Sequence, residues 1–330
     1  MEVSMRCIIA VLLMIGFLAS AQAQTQEDIG LRIDADDCAG LFPVVSPKAE
    51  AGDAVAERQL GAMYYRGCDA PKDAALAIKW YGASARQNDL VAARVLGFFN
   101  ESGYGSLQQN MAAAIGWYNT AINAGDPWAM VQLGKIYVEG KDGTPVNEAA
   151  GLALWRRAVD LGDDEAMYEL GMFYLSGSKH VNKDQPVARE WLEKASNAGN
   201  AQAKMDLAIM YRDGEGGPRD FRREATLLQE ASALGHAEAT NELGVIYQRG
   251  NRGLPRDIGK ALIMYKLAAD AGSELGAQNL RDLMADLRRP QATSSAGNGG
   301  GRSPYGYDGT IARRTGASPY CYFHAPGCPR

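Results

Sequence analysis

The stretch that decides the fold runs from Ala124 to Gly140 and reads AGDPWAMVQLGKIYVEG. Its skeleton is a small residue and Gly-Asp, then an alanine, then Leu-Gly-x-x-Tyr-x-x-Gly. Most of the chain repeats this skeleton, and its alanine returns every 36 or 37 residues, at Ala56, Ala92, Ala129, Ala166, Ala203 and Ala239. A period of this length is typical of a solenoid, in which supersecondary units stack and each packs only on its neighbours.

Each unit is predicted to open with a helix whose N-cap is an Asp or Asn. Asp126 can accept hydrogen bonds from the first free amides of that helix, and Gly125 suits the left-handed residue that ends the helix before it. Gly134 leaves room for a neighbouring helix, and Gly140 ends the helix. We call equivalent positions in successive repeats a column. The N-cap column that contains Asp126 also contains Asp53, Asp89, Asp163, Asn200 and, as a weaker fit, His236.

A second helix is predicted to follow in each unit. Its cap column is again Asp or Asn throughout: Asp73, Asn110, Asn147, Asp184, Asp220 and Asp257. The helix then carries a large pair such as Trp117-Tyr118, which can fill the layer between units. The sequence therefore predicts an all-α protein of about six helix-turn-helix repeats plus a capping half-repeat, over residues 50–287.

The chain before the repeats divides into two predicted segments. Residues 1–23 contain a short apolar run from Cys7 to Ala19 and an A-x-A site at Ala21 to Ala23, which together are typical of a secretory signal peptide. We therefore expect a periplasmic or secreted protein with no membrane span after signal removal. Residues 24–49 are interpreted as an N-terminal leader, irregular apart from a short turn near Cys38.

The chain after the repeats, residues 288–330, is interpreted as a disordered tail. It is rich in Gly, Ser and Arg and has too little apolar surface to fold alone, although it ends in a segment of aromatic residues and cysteines. It carries six arginines and one aspartate, so a net charge of -5 for the whole chain leaves about -10 on the rest. An acidic body argues against nucleic acid, whereas the basic tail could contact an anionic cell-wall polymer.

Four cysteines remain once the signal is removed: Cys38, Cys68, Cys321 and Cys328. An even number in an exported protein indicates disulfides, and four cysteines permit three pairings. Proximity in sequence favours Cys38 with Cys68 and Cys321 with Cys328. Metal binding by Cys321, His324 and Cys328 matches no standard zinc spacing, so we expect no metal and no cofactor.

The repeats follow one order of motifs: Ala-x-x-x-Leu-Gly-x-x-Tyr-x-x-Gly, then the Asp or Asn that caps the second helix, then Ala-x-x-Trp-Tyr and Ala-Gly-Asp. This order resembles the Sel-one-like repeat family, relatives of the tetratricopeptide repeats. The resemblance covers about residues 50–287. It implies a right-handed α-solenoid and, commonly, an adaptor role in signalling or envelope assembly. Some bacterial members carry a cysteine pair in every repeat; this chain does not, so the properties of that branch are not carried over.

Catalytic motifs are lacking in the sequence. It contains no G-x-S-x-G, P-loop, Rossmann glycine set or H-E-x-x-H. His180 lies in a predicted loop, and the scattered carboxylates are explained by caps and solvated helix faces. We therefore expect a protein that is not an enzyme.

A partner groove is predicted on the first helices, opposite their buried stripe. The columns of residues 58, 62 and 65 share one helical face, which should line the concave side of the superhelix. Its members in repeats two to five are Phe98, Val131, Lys135, Val138, Tyr168, Met172, Leu175, Met205, Ile209 and Arg212. Exposed apolar patches usually mark partner sites, and we expect Tyr168 and Met172 near the centre.

The leading hypothesis is an exported, monomeric scaffold or regulator that binds an envelope or signalling protein in this groove. Two other hypotheses remain open. One is a structural envelope component that docks on cell-wall polymer through its basic tail. The other is a hydrolase acting on cell-wall material or a small substrate, which would need a nucleophile or acid pair that the sequence does not identify.

Overall fold

The computed structural model describes residues 28–250 and 252–288, and in these ranges it contains helices and no strand. The predicted signal peptide, nearly all of the predicted tail, and Cys321, His324 and Cys328 lie outside them. The first helices of the six repeats are α2 (Ala54–Arg66), α4 (Leu90–Ser102), α6 (Pro127–Glu139), α8 (Asp164–Ser176), α10 (Ala201–Asp213) and α12 (Ala237–Arg249). The second helices are α3 (Ala74–Ala85), α5 (Met111–Asn123), α7 (Glu148–Asp160), α9 (Gln185–Asn197), α11 (Phe221–Ala233) and α13 (Ile258–Asp270).

Four further helical elements complete the described chain, and the first of them covers residues 28–34. Helix α1 (Phe42–Glu50) precedes the repeats, a 3₁₀ turn (Lys141–Gly143) follows α6, and α14 (Glu274–Arg288) follows the sixth repeat. Each first helix packs against the second helix of its own repeat, and each second helix packs against the next first helix. This order of contacts confirms the predicted helical solenoid. The repeats belong to a compact unit that ends at Leu283, and a second unit begins at Met284.

The predicted caps are confirmed in both columns. Asp126 accepts a hydrogen bond from the amide of Ala129, and Asn147 accepts one from the amide of Ala150, at 3.3 and 3.1 Å. His236, the weaker fit, also caps its helix: its Nδ1 accepts the amide of Ala239 at 3.2 Å. A side-chain cap contributes roughly 1 kcal/mol to helix stability. The twelve predicted caps therefore fix where the helices of the repeats begin.

The predicted close approach at Gly134 is confirmed. A Cβ added there would lie 2.6 Å from Cδ1 of Trp155, a buried ring of the second helix in the same repeat. The indole N–H of Trp155 donates to the carbonyl of Val131 at 3.1 Å, which holds the ring over the glycine. Tyr118 and Tyr265 occupy the same position in repeats two and six, over Gly97 and Gly244.

The prediction of an irregular leader is wrong. Residues 28–34 are helical, and α1 occupies the place of a second helix, with Val45 and Ala49 buried against the first helix of repeat one. Helix α1 ends in the same way as the other second helices. The amide of Asp53 donates to the carbonyl of Lys48, just as the amide of Asp126 donates to the carbonyl of Ala121 after α5. Pro43 does not prevent the helix because it lies in the first turn, where no intrahelical amide bond is lost. Residues 28–50 are therefore an N-terminal unit that lacks the repeat motif.

The predicted disulfide between Cys38 and Cys68 is present, with the two Cα atoms 5.5 Å apart. It joins the N-terminal unit to the loop after the first helix of repeat one. By the loop-entropy relation, closing a loop with a sequence separation of 30 stabilises the fold by about 3 to 4 kcal/mol. The other predicted pair, Cys321 with Cys328, lies outside the described residues.

We predict that Gly134→Ala lowers the free energy of unfolding by about 1 to 3 kcal/mol, because the added methyl group displaces the buried Trp155 ring. The measurement is urea denaturation followed by circular dichroism. Gly116→Ala is the matched control, since Gly116 is exposed in α5 and a Cβ there meets nothing within 4 Å. This control should gain up to about 1 kcal/mol from helix propensity. Wild-type stability in Gly134→Ala would contradict the prediction.

Candidate functional site

The first helices of neighbouring repeats contact one another directly through their side chains. Arg58 reaches the cap residue of the next first helix, with its Nε 2.9 Å from Asp89 Oδ2. Lys135 contacts Glu165, in the first turn of the next first helix, with 3.1 Å between Nζ and Oε1. Contacts of this kind run from repeat to repeat, so the six first helices form one continuous surface. We call it the first-helix face.

An apolar strip runs along the first-helix face from repeat two to repeat six. Its side chains are partly exposed, neither in the core nor fully in water. They are Phe98, Val138, Met172, Leu175, Met205, Ile209 and Val245. The first six were predicted from the sequence as groove residues, and Val245 continues the same column into repeat six.

Two predicted groove residues are not available to a partner. Val131 is 0% exposed and Tyr168 is 2% exposed. The hydroxyl of Tyr168 donates to Asp206 Oδ2 of the next first helix at 2.9 Å, so its ring fills the junction between repeats four and five. Val131 occupies the position in repeat three that Tyr168 occupies in repeat four. Arg58 and Arg94 occupy it in repeats one and two, and their longer side chains remain partly exposed. The expectation that Tyr168 is at the centre of the groove is therefore wrong.

The two predicted cations of the groove are both paired. Lys135 Nζ lies 2.8 Å from Glu169 Oε1 as well as 3.1 Å from Glu165, and only 17% of its side chain is exposed. Burial lowers the pKa of Lys135, but the two carboxylates raise it by more than burial lowers it. The net pKa is therefore raised, and the ammonium stays charged. Arg212 Nη2 lies 2.9 Å from Asp213 Oδ2, and this hydrogen-bonded pair lowers the pKa of Asp213.

A polar network joins the first helices of repeats four, five and six. Asp206 accepts hydrogen bonds from the Tyr168 hydroxyl and from Gln202 Nε2, the latter at 3.1 Å. Gln202 Oε1 lies 3.0 Å from His236 Nε2, while His236 Nδ1 accepts the amide of Ala239. These partners assign the proton of His236 to Nε2, so the ring is neutral. Burial lowers the pKa of His236 and raises that of Asp206.

Sequence reasoning missed the carboxylates of this surface because it attributed them to caps and solvated faces. Glu169, Asp206 and Glu242 occupy one column, three residues after the repeat alanine, in repeats four to six. Glu165 and Glu238 occupy the column just before the alanine. The signal that could have found them is this recurrence at the repeat period, which solvated faces do not require.

The two histidines of the described residues lie at a helix cap and in a loop. His236 caps its helix through Nδ1 and hydrogen-bonds Gln202 through Nε2, and His180 is exposed in the loop after α8. Within residues 28–250 and 252–288, no group of three or more His, Cys, Asp or Glu is placed to hold a metal ion. What the described surface offers chemically is an apolar strip bordered by charged side chains.

Comparison with known proteins gives a family match over the repeats. The family model described as Sel1 repeat matches residues 54–89, 90–126, 129–163, 164–200, 201–236 and 237–273. No curated protein is found to match the chain. Sel1 repeats are typical of protein–protein interaction scaffolds, and proteins built from them are generally not enzymes.

The solved structures that resemble the chain include two bacterial proteins. A protective antigen of uropathogenic Escherichia coli, which displays an SLR fold, is 29% identical over 74% of this chain, with a TM-score of 0.62. The chain spans 52% of that protein, about half its length. A Sel1 repeat protein from Oxalobacter formigenes is 26% identical over 74% of this chain and 99% of its own length, with a TM-score of 0.66.

We predict that His236→Asn makes stability less sensitive to acid. Because burial lowers the pKa of His236, its cap stabilises the fold fully above the ordinary histidine pKa of 6.5 and is lost as pH falls through the lowered value. Between about pH 7.5 and about pH 5, the wild type should lose about 1 kcal/mol of unfolding free energy relative to the variant, which keeps an acceptor at every pH. Urea denaturation at both pH values measures this difference.

The matched control for this experiment is His180→Asn, which removes an exposed histidine that caps no described helix. It should keep the pH dependence of the wild type. The prediction fails if His236→Asn and the wild type lose the same unfolding free energy between the two pH values.

Proposed function

Since this chain belongs to the Sel1 repeat family, we propose that it is an exported, non-enzymatic scaffold that binds a segment of another protein on its first-helix face. The predicted groove corresponds to this face. Its contact residues are Phe98, Lys135, Val138, Met172, Leu175, Met205, Ile209 and Arg212, together with Val245 from the first helix of repeat six.

The observation that carries this proposal is the partly exposed apolar strip. Its side chains lie on five first helices, those of repeats two to six, and side-chain contacts join these helices in order, so we take the strip to be a single patch. Contiguous apolar patches on soluble proteins usually mark partner sites. Met172 and Met205 suit such a role because the flexible thioether side chain adapts to the shape of what it contacts.

The buried residues of the face have a supporting role in the proposal. Tyr168 and Asp206 hold the junction between repeats four and five, and Lys135 with its two glutamates holds the junction between repeats three and four. Rigid junctions keep the strip in one conformation before binding. A preorganised surface loses less conformational entropy when the partner binds.

Export is the part of the proposal that rests on the predicted signal peptide, residues 1–23. The disulfide between Cys38 and Cys68 supports it, because disulfides persist in oxidising compartments and are rare in the cytosol. None of the helices in the described ranges has the length and apolarity that crossing a bilayer requires. We place the protein in the periplasm or outside the cell, with an envelope protein as its partner.

We predict that a photo-crosslinking amino acid at Met172, Met205 or Ile209 captures the same partner protein in cells. The three positions share the strip, so a segment that covers one should reach the others. Mass spectrometry of the adducts measures the identity of the partner and the residues joined. Ile263 is the control position, since it is 56% exposed on α13, a second helix.

The expected result is a common adduct from the three strip positions and none from Ile263. The proposal fails if no specific adduct forms at any strip position. It also fails if Ile263 captures the same protein equally well, because a second-helix position should not contact a segment lying on the first helices.

A further inference from the structure

We infer that the partner segment is basic and amphipathic and that it binds across repeats four to six of the first-helix face. This inference rests on the proposed function and specifies the chemistry of the partner. It follows from two features of the surface, the apolar side chains and the balance of charge around them.

The apolar part of the site consists of side chains that can accept a row of aliphatic groups. Met172 and Leu175 come from repeat four, Met205 and Ile209 from repeat five, and Val245 from repeat six, and all are partly exposed. Two of the five are methionines, which repack easily around different aliphatic side chains. An amphipathic helix that lays its apolar side into a hydrophobic surface would bury this row.

Carboxylates outnumber cations in two ionic clusters of repeats four to six. One cluster contains Glu165 and Glu169 with Lys135, so its three side chains sum to -1. A second contains Glu224 and Glu242 with Arg252, 3.1 and 3.5 Å from Arg252 Nη1, and also sums to -1.

Two further carboxylates add to this excess. Glu238 is 60% exposed, and its Oε2 lies 3.8 Å from His236, whose ring is neutral while it caps its helix. Asp206 is held by two neutral donors, Tyr168 and Gln202. The pair formed by Arg212 and Asp213 is neutral and changes nothing in this balance.

The ion pairs that join repeats one, two and three to one another do not share this imbalance. Arg58 pairs with Asp89, Arg94 with Asp126, and Lys141 with Glu101, one cation to one carboxylate in each case. The excess of carboxylates in these ionic clusters therefore lies in the half of the face that also contains the methionines. Complementary potential draws a partner to a surface and excludes partners of like charge, so Lys or Arg should flank the apolar side of the bound segment.

The test uses the full mature chain and three fluorescein-labelled synthetic peptides of about 16 residues, long enough for roughly four helical turns. The first contains leucines at helical spacing and lysines elsewhere, the second has glutamates in place of the lysines, and the third has the composition of the first with its leucines scrambled. Fluorescence anisotropy measures the dissociation constants. We expect the lysine–leucine peptide to bind at least tenfold more tightly than either of the others and to weaken as salt is raised.

Variants of the protein then locate the site. Ile209→Asp should weaken binding of the lysine–leucine peptide about tenfold or more, because it places a desolvated carboxylate under the leucines. Met205→Glu gives a second test should Ile209→Asp unfold, which circular dichroism would show. Glu238→Lys should weaken binding severalfold, whereas Glu50→Lys, the same change of charge at an exposed position at the end of α1, should not.

The inference is overturned if the glutamate–leucine peptide binds as tightly as the lysine–leucine peptide, or if the scrambled peptide does. It is also overturned if none of the three binds. In each of those cases the proposed function stands if a photo-crosslinker at Met172 still captures a protein in cells, so failure of the two can be told apart.

Discussion

The structure depends on one close contact within each repeat, in which a large side chain of the second helix lies against a small residue of the first. Trp155 over Gly134 and Tyr118 over Gly97 are examples in which an added Cβ would collide with the ring. This contact sets how near the paired helices lie, and the spacing determines which helical columns are buried between them. The columns left on the far side of the first helices become the apolar strip and its charged borders.

The cap residues connect this local packing to the continuous surface. Asp89 begins the first helix of repeat two by accepting the amide of Ala92, and it also binds Arg58 of repeat one. His236 likewise caps the first helix of repeat six and contacts Gln202 of repeat five. Because the residue that begins a helix also joins it to the preceding repeat, neighbouring first helices are held side by side. The proposed binding function needs that continuity.

The sequence was sufficient to predict the repeats and the caps, because each is set by local chemistry that recurs at a fixed period. It also predicted one disulfide, because the two cysteines lie near each other in the sequence. It failed for the N-terminal unit, where Val44 and Val45 stand in place of Trp80 and Tyr81 and the Leu-Gly motif is missing. It also failed for Tyr168, whose burial depends on Asp206 in the next repeat. The charge balance of repeats four to six could not be predicted, since it depends on which carboxylates share Lys135 and Arg252.

The central claim is that the strip on the first helices is open in the free protein and covered in the complex. Methionine oxidation by dilute peroxide, read residue by residue by mass spectrometry, tests it directly. In the free protein, Met172 and Met205 should oxidise faster than the buried Met63 and Met210. Both should be protected from oxidation once the partner identified by cross-linking, or the lysine–leucine peptide, is bound to the wild-type protein. Oxidation of Met172 and Met205 as slow as that of Met63 and Met210 would contradict the account.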